Sequence, residues 1–252
     1  AGNFQAVVFE PDLLSLVKGG PEGRRRFLDS ALCQVYRPYL VALRRYTRLV
    51  AQKNALLKSY EITPNAALLL DAYNEQLAQY GGQIMEHRRK FIAELAPIAA
   101  KNYSEISHDA EVLQLNYQLC ANNTTADALA KKLESVKNAE LRAGFCLAGP
   151  HREDLEIKLD DQPARVFGSQ GQQRSCVLAM KLAEASVVGS LFGEHPVLLL
   201  DDVLSELDEG RKQYLLTRMK EKQTFVTSCD DTAFLKTDGE VYRMNGGVLS
   251  KA

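Results

Sequence analysis

Ser169-Gln170-Gly171-Gln172-Gln173-Arg174, followed one helix later by Pro196-Val197-Leu198-Leu199-Leu200-Asp201-Asp202, is the stretch on which the fold turns. A Ser-x-Gly at a helix start presents a hydroxyl, free backbone N–H groups and the positive helix end to an anion, the way a terminal phosphate is bound. The apolar run Val197–Leu200 is uninterrupted, as in a buried parallel strand, and it ends in paired carboxylates. One acid there can hold Mg²⁺ through water, and the next can orient or deprotonate an attacking water. Alone, the first motif also reads as an N-cap and turn, and the second as a strand running into a turn. In this order, with Ser205-Glu206-Leu207-Asp208 close behind, they make two of the three parts of a nucleotide-hydrolysing site. The third is missing: no G-x-x-x-x-G-K-[ST] occurs, nor any Gly-Lys pair.

Working outward, Glu111 to Leu119 alternates apolar and polar residues and predicts a strand. Thr124-Thr125-Ala126-Asp127 resembles a capping box with Asp in place of Glu, opening a helix to about Leu141. Phe145–Ala148 predicts a short strand before the turn Gly149-Pro150-His151-Arg152, and Leu155–Leu159 with Ala164–Phe167 a hairpin about Asp160–Pro163. A helix from about Gly171 to Phe192, another from about Glu209 to Glu221, a strand Thr224–Thr227 and a hairpin around Asn245-Gly246-Gly247 follow. Near the start, Phe4–Phe9 reads as a strand broken by Glu10-Pro11-Asp12.

Pro21 to about Ala100 is helical in pattern, with Pro38 in a first turn and apolar residues at Leu40, Leu43, Tyr46, Val50 and Leu57, broken only by Lys53. Thr63 as N-cap and Pro64 at the first position open a second helix. Its residues Leu70, Tyr73, Leu77, Tyr80, Ile84, His87 and Phe91 are spaced like the seam of a coiled coil or helical hairpin. Gly81-Gly82 in its middle predict a weak or bent point, at roughly 1 kcal/mol per glycine relative to alanine.

Composition sets bounds. The 252 residues are 46% hydrophobic, enough for an ordinary core, and 31 basic against 32 acidic side chains leave a net charge of -1. Nucleic-acid binding must therefore come from a local patch. The cysteines, Cys33, Cys120, Cys146, Cys176 and Cys229, form no C-x-x-C and have no His at ligand spacing, which excludes a zinc or disulfide framework. No stretch approaches the roughly 20 apolar residues of a membrane span, and Ala1–Glu10 has no targeting pattern. A cytoplasmic chain with no membrane partner is expected.

The joint pattern resembles the ABC-type ATPases of the chromosome-maintenance class. Within it, Gly149-Pro150-His151-Arg152-Glu153-Asp154, Ser169 to Arg174 and Leu198 to Asp208 are similar to the RecF family, as are Leu16-Val17-Lys18-Gly19 and Arg24-Arg25-Arg26-Phe27-Leu28-Asp29. Structural-maintenance and Rad50-like heads carry far longer arms than Pro21–Ala100 can hold. The resemblance implies an α/β fold: the C-terminal part of an ABC-type ATPase head (residues 1–20 and 101–252) with an inserted, antiparallel coiled-coil-like helical arm (21–100). It implies that Ser169 to Arg174 is the signature motif, completing the ATP site of the opposite subunit of a homodimer through Ser169, Gly171, Gln172 and Arg174. Asp201 matches the Walker B aspartate that holds Mg²⁺, Asp202 stands at the catalytic glutamate, and Ser205–Asp208 is the D-loop, with Asp208 facing nucleotide. The switch position falls near Thr227-Ser228, where relatives outside the family carry His. In the family the P-loop lies on an N-terminal segment, so the abrupt start at Ala1 is read as a truncation, and this polypeptide alone is expected not to hydrolyse ATP.

The same resemblance implies ATP-dependent binding to gapped DNA and work with RecR and RecO to help load RecA. The rival reading is a non-enzymatic clamp or scaffold with vestigial ATPase motifs. For DNA contact the candidates are Arg24, Arg25, Arg26, Arg88 and Arg89, with Arg44, Arg45 and Arg48 on the intervening helix; solvated faces or intrahelical pairs explain such runs equally well. His151 and Arg152 read either as nucleotide or DNA contacts or as a structural turn. Cys176 reads as a small core residue.

Overall fold

The computed structural model describes residues 4–10, 14–229 and 239–251. Pro11 and Asp12, part of the expected break, lie outside the described residues. Strand β1 (Ala6–Phe9) leads into helices α1 (Ser15–Lys18), α2 (Pro21–Val35), α3 (Arg37–Lys58) and α4 (Ala66–Ser107). Then come β2 (Leu113–Gln118), α5 (Ala126–Ala143), β3 (Asp154–Leu159), β4 (Gln162–Pro163), α6 (Ala164–Phe167) and α7 (Gln170–Phe192). The chain ends with β5 (Val197–Asp201), α8 (Glu209–Met219), β6 (Thr224–Thr227) and the hairpin β7 (Tyr242–Asn245) and β8 (Val248–Lys251).

A parallel sheet of order β1-β5-β6 positions the site. Its Val7, Phe9, Leu198 and Leu200 pack on Leu178, Leu182 and Ala185 of α7 and on Leu215 and Met219 of α8. The opposite side of α7, through Cys176, Val177, Ala179, Met180, Ala183 and Val187, belongs to a larger core built with α2 to α5 and the antiparallel sheet β2-β3-β4. A helix apolar on both sides is what a position between two cores demands. Against the sequence expectation, α7 is long and apolar enough to cross a membrane, but most of it is buried in the protein. Inside it Lys181 pairs with Glu184, whose carboxyl burial pushes above the usual range.

The spine is α4, whose 42 residues extend about 63 Å at 1.5 Å per residue. It packs on α3, α5, α7 and β2 and runs unbroken through residue 100, the expected edge of the arm. The helix continues through Gly81 and Gly82. A Cβ on Gly82 would sit 2.8 Å from the Ala126 backbone nitrogen, and one on Gly81 would strike the Leu129 side chain, so both serve close approach of α5. Helix α4 also starts later than expected. Thr63 donates its hydroxyl to the Ser59 carbonyl at 2.7 Å, closing the preceding turn, and left-handed Asn65 (φ 56°) leads into Ala66.

Two further corrections share a cause: side chains collect backbone groups that a strand would have used. Phe145–Ala148 is not a strand, because the Cys146 N–H donates to Asn54 Oδ1 (2.7 Å) and the Leu147 N–H to Glu140 Oε1 (2.8 Å). Ala164–Phe167 is a helical turn rather than a hairpin strand, and Gln173 Nε2 donates to the Ala164 and Gly168 carbonyls at 3.0 Å each. Lys53, the polar break in the α3 stripe, is fully buried with its Nζ 2.7 Å from Glu140 Oε2 on α5.

Candidate nucleotide site

Helix α7 begins at a reciprocal cap. Ser169 Oγ accepts from the Gln172 N–H (3.2 Å) while Gln172 Oε1 accepts from the Ser169 N–H (2.6 Å). Gln172 Nε2 donates to Glu111 Oε1 at 2.6 Å, which ties the cap to the segment before β2. Arg174 Nη2 reaches Glu206 Oε2 at 2.5 Å, and its Nε is buried without a partner. Gly171 lies under Arg211, whose Nη2 would be 3.2 Å from a Cβ there.

The acid pair stands at the carboxyl end of β5, where ligands of open α/β sheets bind. Asp201 Oδ1 accepts from Thr227 Oγ1 at 2.6 Å, so the neighbouring strand end orients it. Asp202 is left-handed (φ 50°), and its N–H donates to the Thr227 carbonyl (3.1 Å) and hydroxyl (3.2 Å). Its Oδ1 is buried without a hydrogen-bond partner. Ser205 Oγ closes the following turn on the Asp202 carbonyl (2.7 Å). Asp208 caps α8 by accepting the Arg211 N–H (2.9 Å), a bond that holds its carboxyl below the usual range. Arg211 also ion-pairs with Asp208 and donates to Ser175 Oγ at 2.8 Å, so Arg211–Ser175 joins α7 to α8 and Arg174–Glu206 joins α7 to the turn after β5.

No protein-family profile matches the chain. It is 40% identical over 262 aligned positions to the DNA replication and repair protein RecF of Symbiobacterium thermophilum, covering 98% of this chain and 69% of that protein. The RecF of Acetivibrio thermocellus is 36% identical, with 92% of this chain and 65% of that one covered. The chain belongs to the RecF family. It spans about two thirds of the length of the RecF relatives it matches. Two solved structures of the recombination mediator RecF of the RecFOR pathway, one with ATP and one with ATPrS, superpose on 99–100% of the chain with a TM-score of 0.89 at 31–32% identity. A Pyrococcus furiosus Smc head with an extended coiled coil shares the fold at a TM-score of 0.50 and 15% identity. The architecture is therefore an ABC-type ATPase head with a helical arm, in a family with ATP-bound members.

In this chain the arginines expected to contact DNA are not one surface. Arg24 is buried and bidentate to Asp154 (2.7 and 2.8 Å), with a further bond to the Gly19 carbonyl. Arg88 is buried against Asp29 (2.7 Å), Tyr39 and the Pro150 carbonyl (2.8 Å). Arg25 donates to the Glu153 carbonyl at 2.7 Å. Arg26 and Arg89 are exposed but paired within their helices, with Glu22 and Glu86. Burial removes Arg24 and Arg88 from any surface role, a correction that charge counting could not anticipate. In the turn that follows, Gly149 and Pro150 are buried and His151 half-buried, while Arg152 is exposed. His151 Nδ1 lies 2.7 Å from the Tyr46 hydroxyl, and burial lowers its pKa to about 4. Arg152 donates twice to the Cys146 carbonyl. Burial pushes the Cys176 thiol up to about 12, in keeping with a core residue.

Sequence reasoning missed Arg211, Glu206 and Glu111 as partners of the signature helix. Only Arg211 left a trace: a cation in the first turn of a helix opposes the dipole and calls for an anion nearby.

Proposed function

We propose that the complete protein is a RecF-type recombination mediator that hydrolyses ATP and binds DNA at single-strand gaps, with this chain supplying the signature and Walker B parts. The observation that carries it is Asp202 Oδ1, a buried carboxylate oxygen left without a partner beside Asp201 at the end of a parallel strand. Asp202 is only part-buried, so leaving this one oxygen without an internal bond costs the fold little and keeps it available to a ligand. Its environment suits a bound water, and Asp201, with Oδ1 engaged only by Thr227, suits a hydrated cation. Mg²⁺, when bound there, would screen phosphate charge. Asp202 would orient and deprotonate the attacking water and Asp201 would hold the cation, with Thr227 orienting Asp201 through its hydroxyl.

Ser169, Gly171, Gln172, Arg174 and Asp208 serve the nucleotide held by a second subunit, in an ATP-dependent homodimer. Ser169 and Gln172 then exchange their reciprocal cap for bonds to phosphate, and the N–H groups they release point at the same anion. The head is residues 1–20 and 101–252 and the arm 21–100, sharing α4. Partnership with RecR and RecO, help in loading RecA, and a cytoplasmic location complete the reading. The test is ATP turnover by the whole encoded protein, with and without gapped DNA, against its Asp202→Asn variant. Turnover lost with ATP binding retained supports the reading; an encoded protein that neither binds nor hydrolyses ATP is a scaffold instead.

A further inference from the structure

Helix α3 contains no Asp or Glu in its 22 residues, and its solvent side exposes Arg37, Arg44, Arg45, Arg48 and Lys58. At 3.6 residues per turn, Arg37, Arg44 and Arg48 fall within about 20° of one line, about 10 and 16 Å along the axis from the first. Among the described residues none of Arg37, Arg44, Arg48 and Lys58 has a carboxylate partner within 4.0 Å. Arg45 donates only to the neutral Tyr80 hydroxyl (2.5 Å), with its guanidinium 5.4 Å from that ring's centroid. Of the carboxylates on neighbouring elements, Asp71 is engaged by Lys137 and Asp29 by Arg88. Arg44 and Arg48, four apart, repel one another, so the row opposes the helix that carries it. A row of cations that the fold does not neutralise suits an anion from outside.

We propose that this face of α3, centred on Arg37, Arg44 and Arg48, binds the phosphate backbone of double-stranded DNA. The proposal rests on the DNA-binding reading above and relocates it from Arg24, Arg25, Arg26, Arg88 and Arg89. A straight row of guanidinium groups suits backbone contact without base reading. Single strands are held by aromatic stacking platforms, and the aromatics of α3, Tyr39 and Tyr46, are buried. The large exposed hydrophobic on α3 is Val41.

The experiment is anisotropy titration of a fluorescein-labelled duplex with the complete protein, ATP present, at several salt concentrations. Arms are the parent, Arg44→Ala/Arg48→Ala, Arg44→Lys/Arg48→Lys and Arg26→Ala/Arg89→Ala, each checked for unchanged circular dichroism. With about 0.9 of slope per phosphate neutralised, the Arg44→Ala/Arg48→Ala protein should lose about two from the slope of log affinity against log salt and bind at least tenfold more weakly at low salt. The Lys pair should keep the slope, and Arg26→Ala/Arg89→Ala should match the parent. A parent that binds while Arg44→Ala/Arg48→Ala keeps the full slope overturns the stripe and leaves the DNA reading standing. A parent that binds no duplex overturns both. Poly-glutamate that displaces the duplex at equal charge concentration overturns DNA as the ligand in favour of an acidic protein.

Discussion

Two tight turns stand out in the sequence, Gly149-Pro150-His151-Arg152 and Asp201-Asp202-Val203-Leu204, and the structure treats them oppositely. The first satisfies itself. Gly149 takes a φ of 129°, where a Cβ would collide with the Tyr46 hydroxyl. Arg88 binds the Pro150 carbonyl, Tyr46 the His151 ring, Arg152 the Cys146 carbonyl, and Glu153 the Tyr117 hydroxyl and the Cys120 N–H. The second turn leaves a buried carboxylate oxygen without a partner. Both stretches carry the resemblance to RecF equally well. Between these two turns the difference is that the polar atoms of the first find partners inside the chain, whereas one carboxylate oxygen of the second does not.

The largest expected effect comes from the buried ion pair that holds the segment leading into the first turn. Lys53→Met strands Glu140, which also holds the Leu147 N–H, and should cost about 3–5 kcal/mol in urea unfolding. Lys53→Met/Glu140→Leu should recover most of that loss. If the double variant is no better than the single, the pair is not what holds the segment. Gly149→Ala should cost about 3 kcal/mol from strain plus collision, against about 1 kcal/mol for Gly193→Ala, which is also left-handed but has open space around it. Equal losses at the two glycines would remove the packing part of the argument.

A graded, pH-dependent effect follows from His151. It is neutral in the fold down to about 4, whereas the unfolded imidazole protonates near 6.5, so unfolding takes up a proton between those values. Stability should be complete above 6.5 and fall by about 1.4 kcal/mol per pH unit as pH drops through that window. His151→Asn should flatten the curve there. The smallest effect belongs to the second turn: Asp202→Asn should shift stability by less than about 0.5 kcal/mol, since no internal partner is lost.

These contrasts also explain what was legible beforehand. The signature and acid-pair motifs are local in sequence, so helix α7, strand β5 and the cap at Ser169 could all be read directly. The capping box expected at Thr124-Thr125-Ala126-Asp127 falls one residue later, where Thr125 accepts the Ala128 N–H, and the hairpin at Gly246 follows the same local chemistry. Lys53 looked like a flaw in the stripe because its partner Glu140 lies on another helix. Gly81 and Gly82 looked like a hinge because the α5 backbone they admit is distant in sequence. Arg24 and Arg88 looked like surface charge because Asp154 and Asp29 are brought to them only by tertiary packing. Short apolar stretches such as Ala164–Phe167 carry no period long enough to tell a turn of helix from a strand.

If the turn at Asp201-Asp202 is the chemical one, ATP turnover by the whole encoded protein carrying Asp202→Asn is where it shows. The expected result is ATP binding and urea stability like the parent's, with turnover at least about a hundredfold lower, as befits the loss of a water-activating base. Turnover equal to the parent's would contradict the account and return Asp202 to the status of a strand end.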